Sequence, residues 1–444
     1  MISDPLILSA ILITVMFVFL LSSIWIGVSL ILTGIIGMLL FDHNLPPVIS
    51  VFDKIGDLLA LSLYDALNSW SLAALPMFIL MGEILYKSSI STKLLNGLKP
   101  WLCHIPGGLL HINVAACSLF AAVSGSSAAT TATVGKITLD ELKKRGYSKE
   151  IAMGSLAGSG TLGFLIPPSL IMIIYGVLSD VSIGKLFVAG ILPGLLLASL
   201  YSFYIMYKAK TDPSILPEVE ETFTIKDKIN SLKDLAPIFS LIGLVLGSIY
   251  GGFATPTEAA ALGVFGSLLL ATYFKAISLE VIKNAILNSV QTSVMIGFII
   301  AGAVFLSQVI GFLGIARGMS EFITSLGLSP MMLILLLGIM FIILGMILEA
   351  ISIVVMTLPI VLPIIILAGF DPLWFGIFLV FMVEMAQITP PVGFSLFVIQ
   401  GISKEKIETI LKATFPFFVI MIITVVLITV FPEIVFFLPD QMIK

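Results

Sequence analysis

Charge is what this sequence has least of. Only 11% of its 444 residues are Asp, Glu, Lys or Arg, and 59% are hydrophobic. A soluble chain carries about 25% charged residues. The shortage excludes a soluble globular fold and leaves no basic stripe for nucleic acid. The net charge of -4 adds little about partners. Cysteine is nearly absent as well, and Cys103 and Cys117 are too few for a disulfide framework. The three histidines, His43, His104 and His111, do not cluster with Cys or carboxylates at metal-ligand spacing, although His104 and His111 could share one helix face. The N-terminal MISDPLILSA lacks the positive region of a cleavable signal peptide. No Walker motif is present, so ATP is not the expected drive. The serine-rich stretches contain no GxSxG elbow and have no obvious base, which argues against an intramembrane hydrolase, so no enzyme is expected.

What the sequence has in abundance is apolar runs. Mean hydropathy is +1.18. Runs near bilayer-spanning length lie at 185–207, 236–250, 257–274, 331–348, 374–400 and 413–431. Barrel strands would alternate apolar and polar residues instead. The expected fold is an all-α polytopic membrane protein. The run 5–41 has room for one span or two. Segments 46–70 and 276–290 are amphipathic and are expected along the membrane interface.

One stretch, GSGTLGFLIPPS (158–169), fits the GxGxxG pattern of nucleotide-binding folds. That fingerprint needs a soluble strand–turn–helix unit. Here the glycines lie inside a membrane segment that Pro167 and Pro168 interrupt, which predicts a broken helix whose freed backbone lines a cavity. The motif is also written twice. FLIPPSLIMIIYG (164–176) is echoed by QITPPVGFSLFVIQG (387–401), so Pro167 and Pro390 stand 223 residues apart, as do Pro193 and Pro416. FILMGE (78–83) resembles FIIAGA (298–303) at nearly the same offset, 220. Such internal similarity marks transporter repeats.

Loop charge then differs between the halves. KITLDELKKRGYSKE (136–150) is cationic, whereas its counterpart LAGFDPLW (367–374) has no cation. LSDVSIG (178–184) has none, whereas its counterpart ISKEKIETILK (402–412) does. Cationic loops favour the cytoplasm, so equivalent loops fall on opposite sides and the repeats are inverted. The expected layout is a first repeat at 1–207, with a re-entrant hairpin at about 105–134 and a broken helix at about 150–176. A cytoplasmic linker follows at 208–235. The second repeat is at 236–444, with its hairpin at about 331–367 and broken helix at about 374–400.

Candidate ligands follow from these breaks. The first hairpin tip, AAVSGSSAATTAT (121–133), crowds hydroxyls at Ser124, Ser126, Ser127, Thr130, Thr131 and Thr133. Hydroxyls and freed carbonyls are hard oxygens suited to Na⁺, and half-helix N-termini suit a carboxylate. The same small residues also let helices approach closely. Proline leaves carbonyls unpaired one turn earlier, which nominates Gly163 and Ile166, and by the 223 offset Ala386 and Thr389, with Pro168 carried to Pro391. In the second hairpin, Glu349, Ser352 and Thr357 are the polar positions, and an ionisable residue in a membrane segment such as Glu349 is a functional candidate by default. Glu83 and Glu384 also sit in apolar segments, where a lysine partner or a helix contact explains them equally well. ATPTEAAALG (254–263) reads as a capping box with Pro256 at the first helical position.

LPMFILMGEIL, FAAVSGSSAATTATVG, KKRGYSKE, GTLGFLIPPSLIMIIYG, VSIGKLFVAGILPGLL, GGFATPTEAAALGVFG and ITPPVGFSLFVIQG together resemble the large membrane subunit of the tripartite ATP-independent periplasmic (TRAP) transporters, over about residues 20–435. The resemblance implies a scaffold and a mobile transport domain, each drawn from both repeats, working as a Na⁺-driven elevator of the ion-transporter type in the bacterial inner membrane. It implies a small membrane subunit, here a separate chain, and a periplasmic binding protein delivering an organic acid: a C4-dicarboxylate, keto acid, sugar acid or sialic acid. Sodium positions would fall at Ser124, Ser126, Gly163, Ile166 and Pro168, then at Glu349, Ala386, Thr389 and Pro391. Substrate would meet Ser127, Thr130, Ser352, Gly393 and Ser395. Glu349 stands where the family often has Asp, and Ser395 where it often has Asn. The runner-up is a sodium-coupled carboxylate carrier that acts without a binding protein.

Overall fold

The computed structural model describes residues 5–41, 50–87, 90–217, 223–325, 327–391 and 393–442, and the elements among them are helical. Six helices are long and apolar enough to cross a membrane: 149–179 (a broken one), 183–211, 225–250, 279–312, 350–367 and 407–430. A bent pair, 51–67 with 70–86, could add a seventh across a 50° break. The N-terminal run forms two short helices, Pro5–Leu21 and Ile26–Leu40.

Local chemistry sets the helix starts. Thr224 and Asp227 form a capping box ahead of Ile225–Tyr250, and Thr255 and Glu258 form another ahead of Pro256–Tyr273. The first box explains a difference from expectation. The polar 208–235 stretch is mostly helical, because Ile183–Thr211 runs into it from one side and Ile225–Tyr250 begins within it. Segment 276–290 differs too. It is the start of one 34-residue helix, Leu279–Phe312, about 51 Å long at 1.5 Å per residue. Two of its polar groups meet a neighbouring helix: the Asn288 amide donates to Glu83 at 2.9 Å and the Ser289 hydroxyl to the Pro76 carbonyl at 3.0 Å, while Glu280 and Lys283 are exposed.

The helices form two packed groups. In one, Leu279–Phe312 lies against Ile26–Leu40, Val51–Leu67 and Ala74–Lys87, and Pro256–Tyr273 joins Ala74–Lys87 and Ile225–Tyr250. Small residues permit the closest crossing: a Cβ on Gly302 would stand 2.7 Å from the Gly27 carbonyl oxygen. The second group contains both hairpins, both broken helices, Ile183–Thr211 and Ile407–Val430. Each group therefore draws on both halves of the chain.

Charge separates to the two ends of the molecule. Lys149 pairs with Glu405 at 3.0 Å, which brings the 136–150 and 402–412 loops together. Lys99 pairs with Glu141 at 3.0 Å, and the Trp101 indole donates to Ser231 at 3.0 Å, which adds the linker to the same end. At the other end the Tyr175 hydroxyl donates to the Pro372 carbonyl and holds the cation-free loops 178–184 and 367–374 as neighbours.

Candidate functional site

Each half places a hairpin tip against a break in a helix. Hairpin 1 consists of His111–Ser124 and Ser127–Lys144, so its second arm runs ten residues past the 105–134 window. Gly125 turns the chain at φ 60°, and Ser126 caps the second arm by accepting the Ala129 N–H at 3.5 Å. The Ser124 hydroxyl pairs with that of Thr130 at 2.8 Å. The facing broken helix runs Lys149–Gly160 and Leu162–Leu165, breaks at 166–169, and resumes as Leu170–Ser179.

Tip and break meet backbone to backbone. A Cβ on Gly163 would lie 2.5 Å from the Ser127 Cα and 2.7 Å from the Ser126 carbonyl carbon. A Cβ on Gly125 would lie 2.8 Å from the Pro168 carbonyl oxygen, and the Leu170 N–H donates to the Gly125 carbonyl at 3.3 Å. The structure thus gathers Ser124, Ser126, Gly163 and Pro168, with Ile166 in the same break. Pro167 has no N–H to return to the Gly163 carbonyl.

The second half repeats the pattern with the small residue exchanged. Hairpin 2 is Pro330–Gly345 and Ala350–Leu367, and its partner breaks between Pro372–Gln387 and Phe394–Ser403. A Cβ on Gly345 would sit 2.0 Å from that of Ala386, the residue equivalent to Gly163. Glu349 is exposed at the N-cap of the second arm and accepts the Ser352 hydroxyl at 3.4 Å. The Thr389 hydroxyl donates to the Met385 carbonyl at 2.6 Å, and its N–H to Ala386 at 3.3 Å. Gly393 opens the second half-helix, with Ser395 buried and its hydroxyl unpartnered. The Pro–Pro bond is cis in both breaks. Pro390 and Pro391 are exposed, whereas Pro167 and Pro168 are buried.

Two of the hydroxyls assigned to substrate are turned inward. Thr130 is fully enclosed and pairs with Ser124, while Ser127, also enclosed, donates at 2.6 Å to Glu384. Sequence reasoning left Glu384 open, and its surroundings are the main addition from the structure. This carboxylate of the second half is only 1% exposed, and it also accepts the Phe164 N–H at 2.7 Å. It therefore bridges the hairpin 1 tip and the first broken helix. Its own helix end, through Ala386, also touches hairpin 2, so Pro372–Gln387 forms a wall shared by both sites. Asn113, which carried no signal in the sequence, ties hairpin 1 to the broken helix through Ala152 and Ser155, both at 2.9 Å. Glu83, by contrast, belongs to the other helix group, with Asn288.

Residues 13–434 match the family described as the DctM component of the tripartite ATP-independent periplasmic transporters. The chain belongs to that family. Among its relatives, the C4-dicarboxylate TRAP transporter large permease protein of Pseudomonas aeruginosa is 34% identical over 86% of this chain and 89% of its own length. The sialic acid TRAP transporter permease protein of Haemophilus influenzae is 29% identical, over 85% of this chain and 61% of that longer protein. Among solved structures, the YdaH transporter of Alcanivorax borkumensis shares the fold at a TM-score of 0.68 and 13% identity, covering 94% of this chain and 98% of its own. This DctM-family chain is thus a multi-pass membrane transporter subunit, and the paired tips and breaks are its candidate binding centre.

Proposed function

We propose that this chain is the transmembrane permease of a Na⁺-coupled importer of organic acids in the bacterial inner membrane. In this reading it works with a separate small membrane subunit and a periplasmic binding protein, and it has no enzymatic activity. The observation that carries the proposal is the doubled meeting of hairpin tip and helix break, which concentrates hydroxyls, carbonyls and two carboxylates, Glu349 and Glu384, where backbones nearly touch. One Na⁺ would lie among Ser124, Ser126, Gly163, Ile166 and Pro168, and another among Glu349, Ala386, Thr389 and Pro391. A substrate carboxylate would sit between the tips, near Ser352, Gly393 and Ser395, where helix N-termini favour an anion. Thr130 and Ser127 would act from behind, by shaping the tip. Relatives named for C4-dicarboxylate, sialic acid and 2,3-diketo-L-gulonate support an acid substrate without choosing one.

The group holding the hairpins would move as an elevator against the other. A Cβ added to Gly82, on Ala74–Lys87, would stand 3.3 Å from Ser124 and Val123, and this bare backbone offers a smooth contact for such sliding. Coupling requires only that the moving state prefers both ligands bound. The test is uptake of labelled organic acids into proteoliposomes holding this chain and its small subunit, with or without binding protein, under a Na⁺ or H⁺ gradient. Uptake that needs both Na⁺ and binding protein supports the reading. Uptake without binding protein would favour a stand-alone carrier, and a proton-only drive would remove the sodium sites.

A further inference from the structure

A buried carboxylate in a membrane protein needs a compensating partner, because desolvating an unpaired charge is costly. Glu384 has two hydrogen-bond donors, the Ser127 hydroxyl and the Phe164 N–H, both on one oxygen. Its other oxygen is buried without a partner. None of the ion pairs among the described residues includes it. Its two donors stand directly beside candidate sodium ligands in the chain: Ser127 follows Ser126, and Phe164 follows Gly163. The ligands proposed for that site, by contrast, are hydroxyls and carbonyls only. A site of neutral oxygens next to a carboxylate with no cation forms a complementary pair.

We propose that Glu384 is the counter-charge of the first sodium site, a positioning residue from the second repeat that sets Na⁺ affinity in the first without ligating the ion. The inference rests on the sodium reading above. For a separation of about 6–12 Å and an effective dielectric near 20, one unit charge changes ion affinity by roughly a hundredfold at the short end and tenfold at the long end. The role differs from that of a strut. A strut needs only an acceptor for Ser127 and Phe164, which glutamine also provides, whereas a counter-charge needs the charge.

The experiment is a Na⁺ titration of wild type, Glu384→Gln and Glu384→Asp, each with its small subunit. It is read twice, as Na⁺-induced thermal stabilisation in detergent and as the half-saturating Na⁺ for uptake with binding protein. The expected result is an increase of at least about tenfold in half-saturating Na⁺ for Glu384→Gln, with the substrate KM at saturating Na⁺ unchanged and Glu384→Asp within about threefold of wild type. A Gln variant with wild-type Na⁺ dependence overturns the proposal. So does equal loss of Na⁺ and substrate affinity, which marks a strut. If the Gln variant does not fold, Glu384→Asp decides alone: it keeps the charge while disturbing the contacts, so a tenfold rise there also overturns the proposal. A wild type with no Na⁺ response removes the sodium reading itself, an outcome visible before any variant is compared.

Discussion

Gly163→Ala is the sharpest test of the tip-and-break geometry. The added methyl would stand 2.5 Å from the Ser127 Cα and N, where ordinary contact begins near 3.4 Å. The hairpin tip must therefore retreat by ~0.9 Å, and because the opposing atoms are backbone, no side-chain rotation relieves the clash. Overpacking of this kind costs about 1–3 kcal/mol. Metal–ligand distances hold to within about 0.2 Å of their standard values, so a tip displaced several times further is expected to weaken Na⁺ binding at least tenfold, or ~1.4 kcal/mol. The assay is thermal unfolding in detergent as a function of Na⁺, alongside uptake. Gly401→Ala is the control, since nothing lies within 4 Å of its added methyl and the residue sits in a helix. A Gly163→Ala protein with wild-type melting temperature and Na⁺ response, indistinguishable from Gly401→Ala, would refute the geometry.

Four further outcomes are expected. Gly82→Leu should stop uptake because it obstructs the contact between the helix groups, and it should also weaken Na⁺-induced stabilisation, because the backbone it meets is that of Val123 and Ser124 at the hairpin 1 tip; wild-type uptake would argue against sliding there. Thr255→Ala should destabilise the protein by about 1 kcal/mol through loss of the capping box, with Na⁺ dependence unchanged in the same titration. Glu141 accepts from Lys99 and Arg145, which hold its carboxyl below the usual range. A depressed carboxyl stabilises above its unfolded pKa and loses that contribution as pH falls through the folded value. Glu141→Gln should therefore cost at most about 1 kcal/mol at neutral pH, given the partial exposure, and the difference from wild type should vanish in acid melts. With Cys103 and Cys117 replaced, an impermeant thiol reagent applied to the periplasmic side should label Asp371→Cys and spare Lys404→Cys; the reverse pattern would invert the assigned topology.

Much of this arrangement was legible in the sequence because it rests on local signals. The double prolines announce their breaks through missing N–H groups, and the Thr255–Glu258 capping box announces its helix, whereas the Thr224–Asp227 box inside the polar linker went unread. What stayed hidden depends on distant partners. Glu384 looks the same in the sequence whether it meets a lysine or a hydroxyl, and Ser127 is 257 positions away. That 276–290 continues into one long helix, with Asn288 and Ser289 meeting Glu83 and Pro76, was hidden too, because the amphipathic period does not say which neighbour a polar face meets. The inward turn of Ser127 and Thr130 was equally hidden, since a hydroxyl-rich tip does not say which hydroxyls its own turn consumes. Nor does the exchange of a glycine at 163 for one at 345 show without the opposing backbone.

The Glu384 bridge also bears on how the protein is made. Its acceptors' partners, Ser127 and Phe164, leave the ribosome long before the residue that completes them. The gap from Phe164 to Glu384 is 220 positions, which takes on the order of 10–40 s at ordinary synthesis rates. During that interval the first hairpin and its broken helix are in the membrane with a hydroxyl and an amide still waiting for a carboxylate. The first half of the chain therefore completes its hairpin-tip contacts only when the second half inserts, and a product truncated before Pro372 would carry both hairpins without the helix that joins the two candidate sites.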